Sequence, residues 1–113
     1  MMWVGGLRLT FRVRQARSLK DKRALRSQVF GVVGRLDLAG AEVGDADRLD
    51  RLVLGFSVVG AEQGVVRRRL EQARRQIEDA WLAEVVDHRL ETFKMSEERG
   101  SWIPDELLSC QDD

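Results

Sequence analysis

Six consecutive residues, Ser18-Leu19-Lys20-Asp21-Lys22-Arg23, gather three cations at one point of the chain, with Arg14, Arg17 and Arg26 close on either side. Such a cluster suits anion binding rather than catalysis. Ser18 stands three residues before Asp21, the spacing of a capping box at a helix start. A helix amino terminus already carries the positive end of the backbone dipole, so cations stacked there are electrostatically unfavourable. The same end offers backbone N–H groups to an anion. A bound phosphate would relieve the repulsion. Arg17, Lys20, Lys22, Arg23 and Arg26 are therefore the expected contacts for a nucleic-acid backbone. The competing expectation is a solvated helix face with Asp21 as the local counter-charge.

Other chemistry has less behind it. Glu42, Asp45 and Asp47 make an acidic hairpin that could catch a magnesium ion, with an ordinary polar turn as the simpler expectation. One His and one Cys cannot build a typical zinc site. His88 alternates with Val86 and Leu90, which predicts a buried structural histidine. Cys110 has no basic neighbour to make it a nucleophile, and the glycines match no phosphate-binding loop. No catalytic constellation, metal site or cofactor is expected. A small enzyme using Glu42, Asp45 and His88 is the most distant alternative.

The elements that must position the basic cluster follow from hydropathy. Residues 4–14 alternate, with Leu7, Leu9, Phe11 and Val13 on one face and Arg8, Thr10, Arg12 and Arg14 on the other, which predicts a half-buried strand. Leu25, Val29, Val32 and Leu36 predict a helix over residues 19–36, weakened locally by Gly31 and Gly34. Residues 38–44 predict a short second strand before the turn Gly44-Asp45-Ala46-Asp47. Leu52, Leu54, Phe56 and Val58 mark a third strand, and Val66, Leu70, Ala73, Ile77 and Trp81 a second helix over residues 62–81. Residues 84–94 return to strand, with Val86, His88, Leu90 and Thr92 opposite Val85, Asp87, Arg89, Glu91 and Phe93.

The order β-α-β-β-α-β predicts an α+β, ferredoxin-like domain over residues 1–94: a four-stranded antiparallel sheet with both helices on one face. The other sheet face would be open, showing Arg8, Thr10 and Arg12 beside Asp87, Arg89 and Glu91. Such a face is either solvated or the contact of a homodimer. Residues 95–113 form a C-terminal tail, expected as a short helix or as disorder. A tail helix would place Trp102, Ile103 and Leu108 over the flank of the first helix at Leu19, Phe30 and Val33, in the same chain or in a partner.

The 113 residues suffice for one core and carry no net charge, but the balance is uneven. Residues 1–36 hold nine Lys/Arg against one Asp, and residues 82–113 hold nine Asp/Glu against three Lys/Arg. Helix two adds Arg67-Arg68-Arg69 and Arg74-Arg75, interleaved with Glu71, Glu78 and Asp79 as a mostly neutralised lattice, from which Arg68 and Arg75 could extend the basic patch. No apolar run is long enough to predict a membrane helix, and the first residues lack a signal-peptide pattern. With a single cysteine, the expectation is a cytoplasmic protein. RNA binding by base stacking on the open sheet face is not expected: there is no Tyr, and Phe11 and Phe56 fall on the core-facing side. Contact with phosphates or with RNA shape is the expected mode.

Ser18-Leu19-Lys20-Asp21-Lys22-Arg23 after an initial strand resembles the SLKEKR element of the YlxP-like family of small bacterial proteins. Ala41-Glu42-Val43-Gly44-Asp45 resembles its second motif, AEVGDQD, and Val53-Leu54-Gly55 followed by Phe56-Ser57-Val58-Val59 its third strand. The likeness runs over roughly residues 2–94 in the same order and spacing. Asp21 stands where the family usually has Glu, and the tail from Met95 runs past the family's usual end. The resemblance implies a ferredoxin-like fold and no known activity. It also implies a link to ribosomal RNA or ribosomal particles, since the family's genes often neighbour those for translation initiation and ribosome maturation. Together these readings predict a non-enzymatic, ribosome- or structured-RNA-associated protein, with Ser18, Glu42, Gly44 and Asp45 shaping the basic site. The alternative is a homodimeric interaction or small-molecule-binding module.

Overall fold

A computed structural model describes residues 1–95. The strand β1 (Met2–Arg12) leads into helix α1 (Leu19–Val32) and a single 3-10 turn at Gly34–Leu36. The hairpin β2 (Ala39–Gly44) and β3 (Arg51–Gly60) follows, then helix α2 (Gln63–Asp79) and strand β4 (Glu84–Met95). All neighbours pair antiparallel in the order β2-β3-β1-β4, so the first and third strands are central and β2 and β4 are the edges. This is the ferredoxin-like arrangement the sequence predicts.

Alternation decides which face each strand buries. Leu7, Leu9 and Phe11 pair across from Phe56, Leu54 and Leu52, and this set is buried under the helices. Val29 and Val33 of the first helical segment and Val66, Leu70, Ala73 and Ile77 of α2 complete the same core. Both helices therefore share one sheet face. Gly5 makes that contact close: a Cβ there would meet Val66 Cγ1 at 2.5 Å and Leu70 Cδ1 at 2.6 Å. A methyl group would push α2 off the sheet.

The structure departs from the sequence prediction at two helix ends and in the register of β4. α1 stops at Val32 and tightens into the 3-10 turn, with Asp37 in the left-handed region at φ 57°. Two glycines in its last turns remove the propensity that would carry an α-helix to Leu36. α2 ends at Asp79, and Trp81 takes φ 53° instead of continuing the buried stripe. In β4 the register shifts opposite Thr10 and Phe11, so that Val85, not Val86, pairs with Phe11. A bulge of this kind inserts one residue and reverses the parity beyond it.

The predicted docking of Trp102, Ile103 and Leu108 lies outside the described residues. Of the flank it was to cover, Leu19 is exposed. Phe30 packs edge-to-face on Phe56, with ring centroids 5.7 Å apart, and Val33 is buried.

Candidate nucleic-acid interface

The basic cluster divides into two sets. Ser18 Oγ accepts the Asp21 N–H at 3.2 Å, and Asp21 Oδ2 accepts the Arg17 N–H at 3.0 Å, closing the capping box one residue before its ideal position. This turn starts α1 and aims successive side chains in different directions. Lys22 falls on the same stripe as Leu25, Val29 and Val33, and it is only 2% exposed. Its Nζ donates to the Asp45 carbonyl at 2.6 Å and the Ala46 carbonyl at 3.3 Å. It also lies 3.0 Å from Glu42 Oε2, an approach poorly aligned for a hydrogen bond and therefore an ion pair. Arg26 Nη1 meets the other oxygen, Glu42 Oε1, at 3.2 Å.

Lys22 is therefore not a surface phosphate contact, because the helix turns it inward to a carboxylate and two carbonyls. Arg26 is similarly engaged by Glu42. The hairpin is shaped for this clamp. A bulge between Glu42 and Gly44 sets Glu42 toward α1, with Gly44 paired to Val53 beyond it. Asp45, at φ 52°, then turns its carbonyl toward Lys22 and the Arg48 N–H. The wheel position of Lys22 among apolar residues was the signal in the sequence for its burial.

Arg17, Lys20 and Arg23 remain. All three are exposed, and none has an ion-pair partner among the described residues. The amides of Leu19 and Lys20, the first of the helix, have no hydrogen-bond acceptor among the described residues. At the far end of the helix layer, Arg35, Arg68 and Arg69 line a depression of about 330 Å³ with Asp37 as the one acid. In α2, Arg74 is held by Glu71 at 3.0 Å and Glu78 at 3.1 Å, which keeps its guanidinium pKa above its ordinary value. Arg75 donates to the Glu71 carbonyl at 3.4 Å. The neutralised lattice predicted for α2 is thus confined to its second half. Residues 1–95 carry 18 Lys/Arg and 13 Asp/Glu, a net +5 that residues 96–113 cancel.

Trp81 was predicted to be core and stands 88% exposed. It borders a groove of about 480 Å³ between the β1–α1 connection, α1 and the α2–β4 turn, next to the basic cluster. Helical periodicity cannot report where a helix stops, so nothing in the spacing separates Trp81 from the stripe. On the open sheet face Arg8 and Arg89 sit directly opposite each other, in a depression of about 370 Å³ that includes Gly6 and Phe93. Phe93 is 57% exposed there, joined by exposed Val43, Val59 and Met95.

His88 pairs with Leu9 on the helix side but is exposed, because β4 is an edge strand. Glu42 lies on the opposite edge, three strand spacings or about 14 Å across the sheet. Glu42, Asp45 and His88 therefore do not converge. Among the described residues no group of three His, Cys, Asp or Glu is placed to hold a metal ion, and no helix is long and apolar enough to cross a membrane.

Residues 4–90 match the model of a family described as "Protein of unknown function (DUF503)". No curated protein matches the sequence. Among solved structures, the de novo designed protein Foldit4 is similar at 12% identity and a TM-score of 0.55, over 85% of this chain and 100% of that one. The de novo designed protein LFR1 1 with ferredoxin fold matches at 13% identity and a TM-score of 0.50, over 91% and 93%. A dimeric protein of unknown function and ferredoxin-like fold from Bacteroides fragilis is similar at 8% identity and a TM-score of 0.47, over 82% and 96%.

Proposed function

The chain belongs to the DUF503 family, which brings no activity with it, and we propose that it is a non-enzymatic cytoplasmic protein that grips the phosphate backbone of structured RNA. The observation that carries this reading is the exposed trio Arg17, Lys20 and Arg23 at the start of α1, beside the Leu19 and Lys20 amides that find no acceptor among the described residues. Oxyanions suit such a site. Arg35, Arg68 and Arg69 give the same helix layer a second point of contact. The YlxP-like resemblance of Ser18–Arg23 and Ala41–Asp45 nominates ribosomal RNA as the first partner to test.

Sedimentation of lysate through sucrose gradients at low and high salt tests the reading. Wild type should travel with ribosomal particles at low salt and leave them at high salt, and Lys20→Glu/Arg23→Glu should stay at the top throughout. A wild type that remains at the top at low salt defeats it.

A second reading draws on the open sheet face, where Val43, Val59, Phe93 and Met95 are exposed. A homodimer would bury them. It predicts self-association that tolerates salt and weakens in Arg8→Glu, measured by sedimentation velocity.

A further inference from the structure

Trp81 is a costly residue for folding. A bulky side chain at φ 53° sits in a backbone region that glycine occupies without penalty, and its indole is held out in water. The turn itself is well made: the Trp81 N–H donates to the Glu78 carbonyl at 3.3 Å and the Ala80 N–H to the Gln76 carbonyl at 3.1 Å. The ring is thus an exposed platform on an ordered support.

The groove beside it has a mixed lining. Val13, Leu25 and Leu82 are partly buried against the core and form an apolar floor. Gln15 and Gln28 supply amides that both donate and accept. Arg12 and Arg14 are balanced in the lining by Asp21 and Glu84, so the interior carries no net charge. Arg14 Nη2 lies 3.3 Å from Glu84 and Arg12 Nη1 lies 3.9 Å from it, both exposed pairs of the kind that exchange readily for another anion. Arg17 and Lys20 begin the helix just beyond.

Resting on the RNA reading above, we propose that this groove receives an unpaired nucleobase of the bound RNA, stacked on the Trp81 indole, with the flanking phosphate on Arg14 and Arg17. The apolar floor and balanced charge of the interior suit a neutral group there better than a free anion. A neutral aromatic base is such a group, and every base offers a π-face to an indole. The charged surroundings also argue against a protein partner, since the centres of protein interfaces are depleted of charge. The protein would then distinguish looped or bulged RNA from a continuous duplex.

The test is fluorescence anisotropy of the full chain with a stem-loop RNA and with a blunt duplex of the same length, for wild type, Trp81→Gly and Trp81→Phe. Glycine suits the backbone at this position, so Trp81→Gly should melt no lower than wild type. Wild type should prefer the stem-loop. Trp81→Gly should lose about tenfold on it while keeping its duplex affinity and salt slope, and Trp81→Phe should recover part of the loss. Equal stem-loop affinity for wild type and Trp81→Gly overturns the groove assignment and leaves backbone binding standing. Binding to neither RNA overturns the RNA reading itself. A wild type that self-associates, with Trp81→Gly monomeric in sedimentation velocity, makes a second copy the occupant and also overturns the proposal.

Discussion

Lys22 Nζ lies 3.0 Å from Glu42 Oε2, and that contact joins the first turn of α1 to the β2–β3 hairpin. The two stretches are 20 residues apart in sequence, and each supplies what the other lacks. The helix brings a cation to a position on its apolar stripe, and the hairpin brings a carboxylate and two carbonyls to meet it. An unpaired ammonium would be very costly there. The clamp also decides which cations of the cluster face solvent. With Lys22 drawn inward and Arg26 engaged by Glu42, the cations left at the helix start are Arg17, Lys20 and Arg23.

Lys22→Met is therefore expected to destabilise the fold by about 3 kcal/mol in urea unfolding, the low end for breaking a buried pair, because Arg26 still balances Glu42. Lys20→Met, on an exposed face of the same turn, should fall within about 0.5 kcal/mol of wild type. Equal, small effects at both positions would remove the clamp as a structural device.

Much of the fold was legible because alternation and helical spacing report faces. Leu7, Leu9 and Phe11 are buried as their period requires, as are Val66, Leu70, Ala73 and Ile77. What spacing cannot report is position within the layer. His88 has the inward parity but sits on an edge strand, and the bulge in β4 exchanges Val85 for Val86. Helix ends are equally silent, so Trp81 counted as core. The basic cluster was harder still. A lysine counts as surface charge until its stripe-mates are examined, and Lys22 reaches partners in a distant hairpin that no local pattern connects to it.

Gly5→Ala should cost about 1–3 kcal/mol, read as a lower melting temperature, since its methyl group would meet Val66 and Leu70 at 2.5 and 2.6 Å. Gly6→Ala makes the matched control. Its Cβ would point to the open face with nothing within 4 Å, and the melting temperature should barely move. A neutral Gly5→Ala would mean that α2 does not ride as close to β1 as described.

Asp50 gives a pH prediction with a definite sign. The Arg48 guanidinium hydrogen-bonds its carboxylate at 2.8 and 3.0 Å and holds its pKa below the ordinary 3.8. A depressed folded value means that the pair's contribution is present above the unfolded pKa and is lost as pH falls through the folded one. Both groups are exposed, so the effect on stability is small. A carbon-detected NMR titration should show Asp50 titrating below its ordinary value, and Arg48→Ala should return it there. An Asp50 midpoint unmoved by Arg48→Ala would show that the pair does not persist in solution.

Charge on the helix layer should govern how RNA affinity responds to salt. Removing one cation from a phosphate lowers the steepness of log Kobs against log[salt] by about one. Lys20→Ala/Arg23→Ala should flatten the plot by about two, and Arg35→Ala/Arg68→Ala by a similar amount if RNA spans both ends of the layer. Arg26→Ala should change it less, because Glu42 already holds that guanidinium at 3.2 Å. The comparison also separates the two surfaces, since none of these residues lies on the open sheet face. Slopes that ignore the helix-layer substitutions but respond to Arg8→Ala would move the RNA contact to that face.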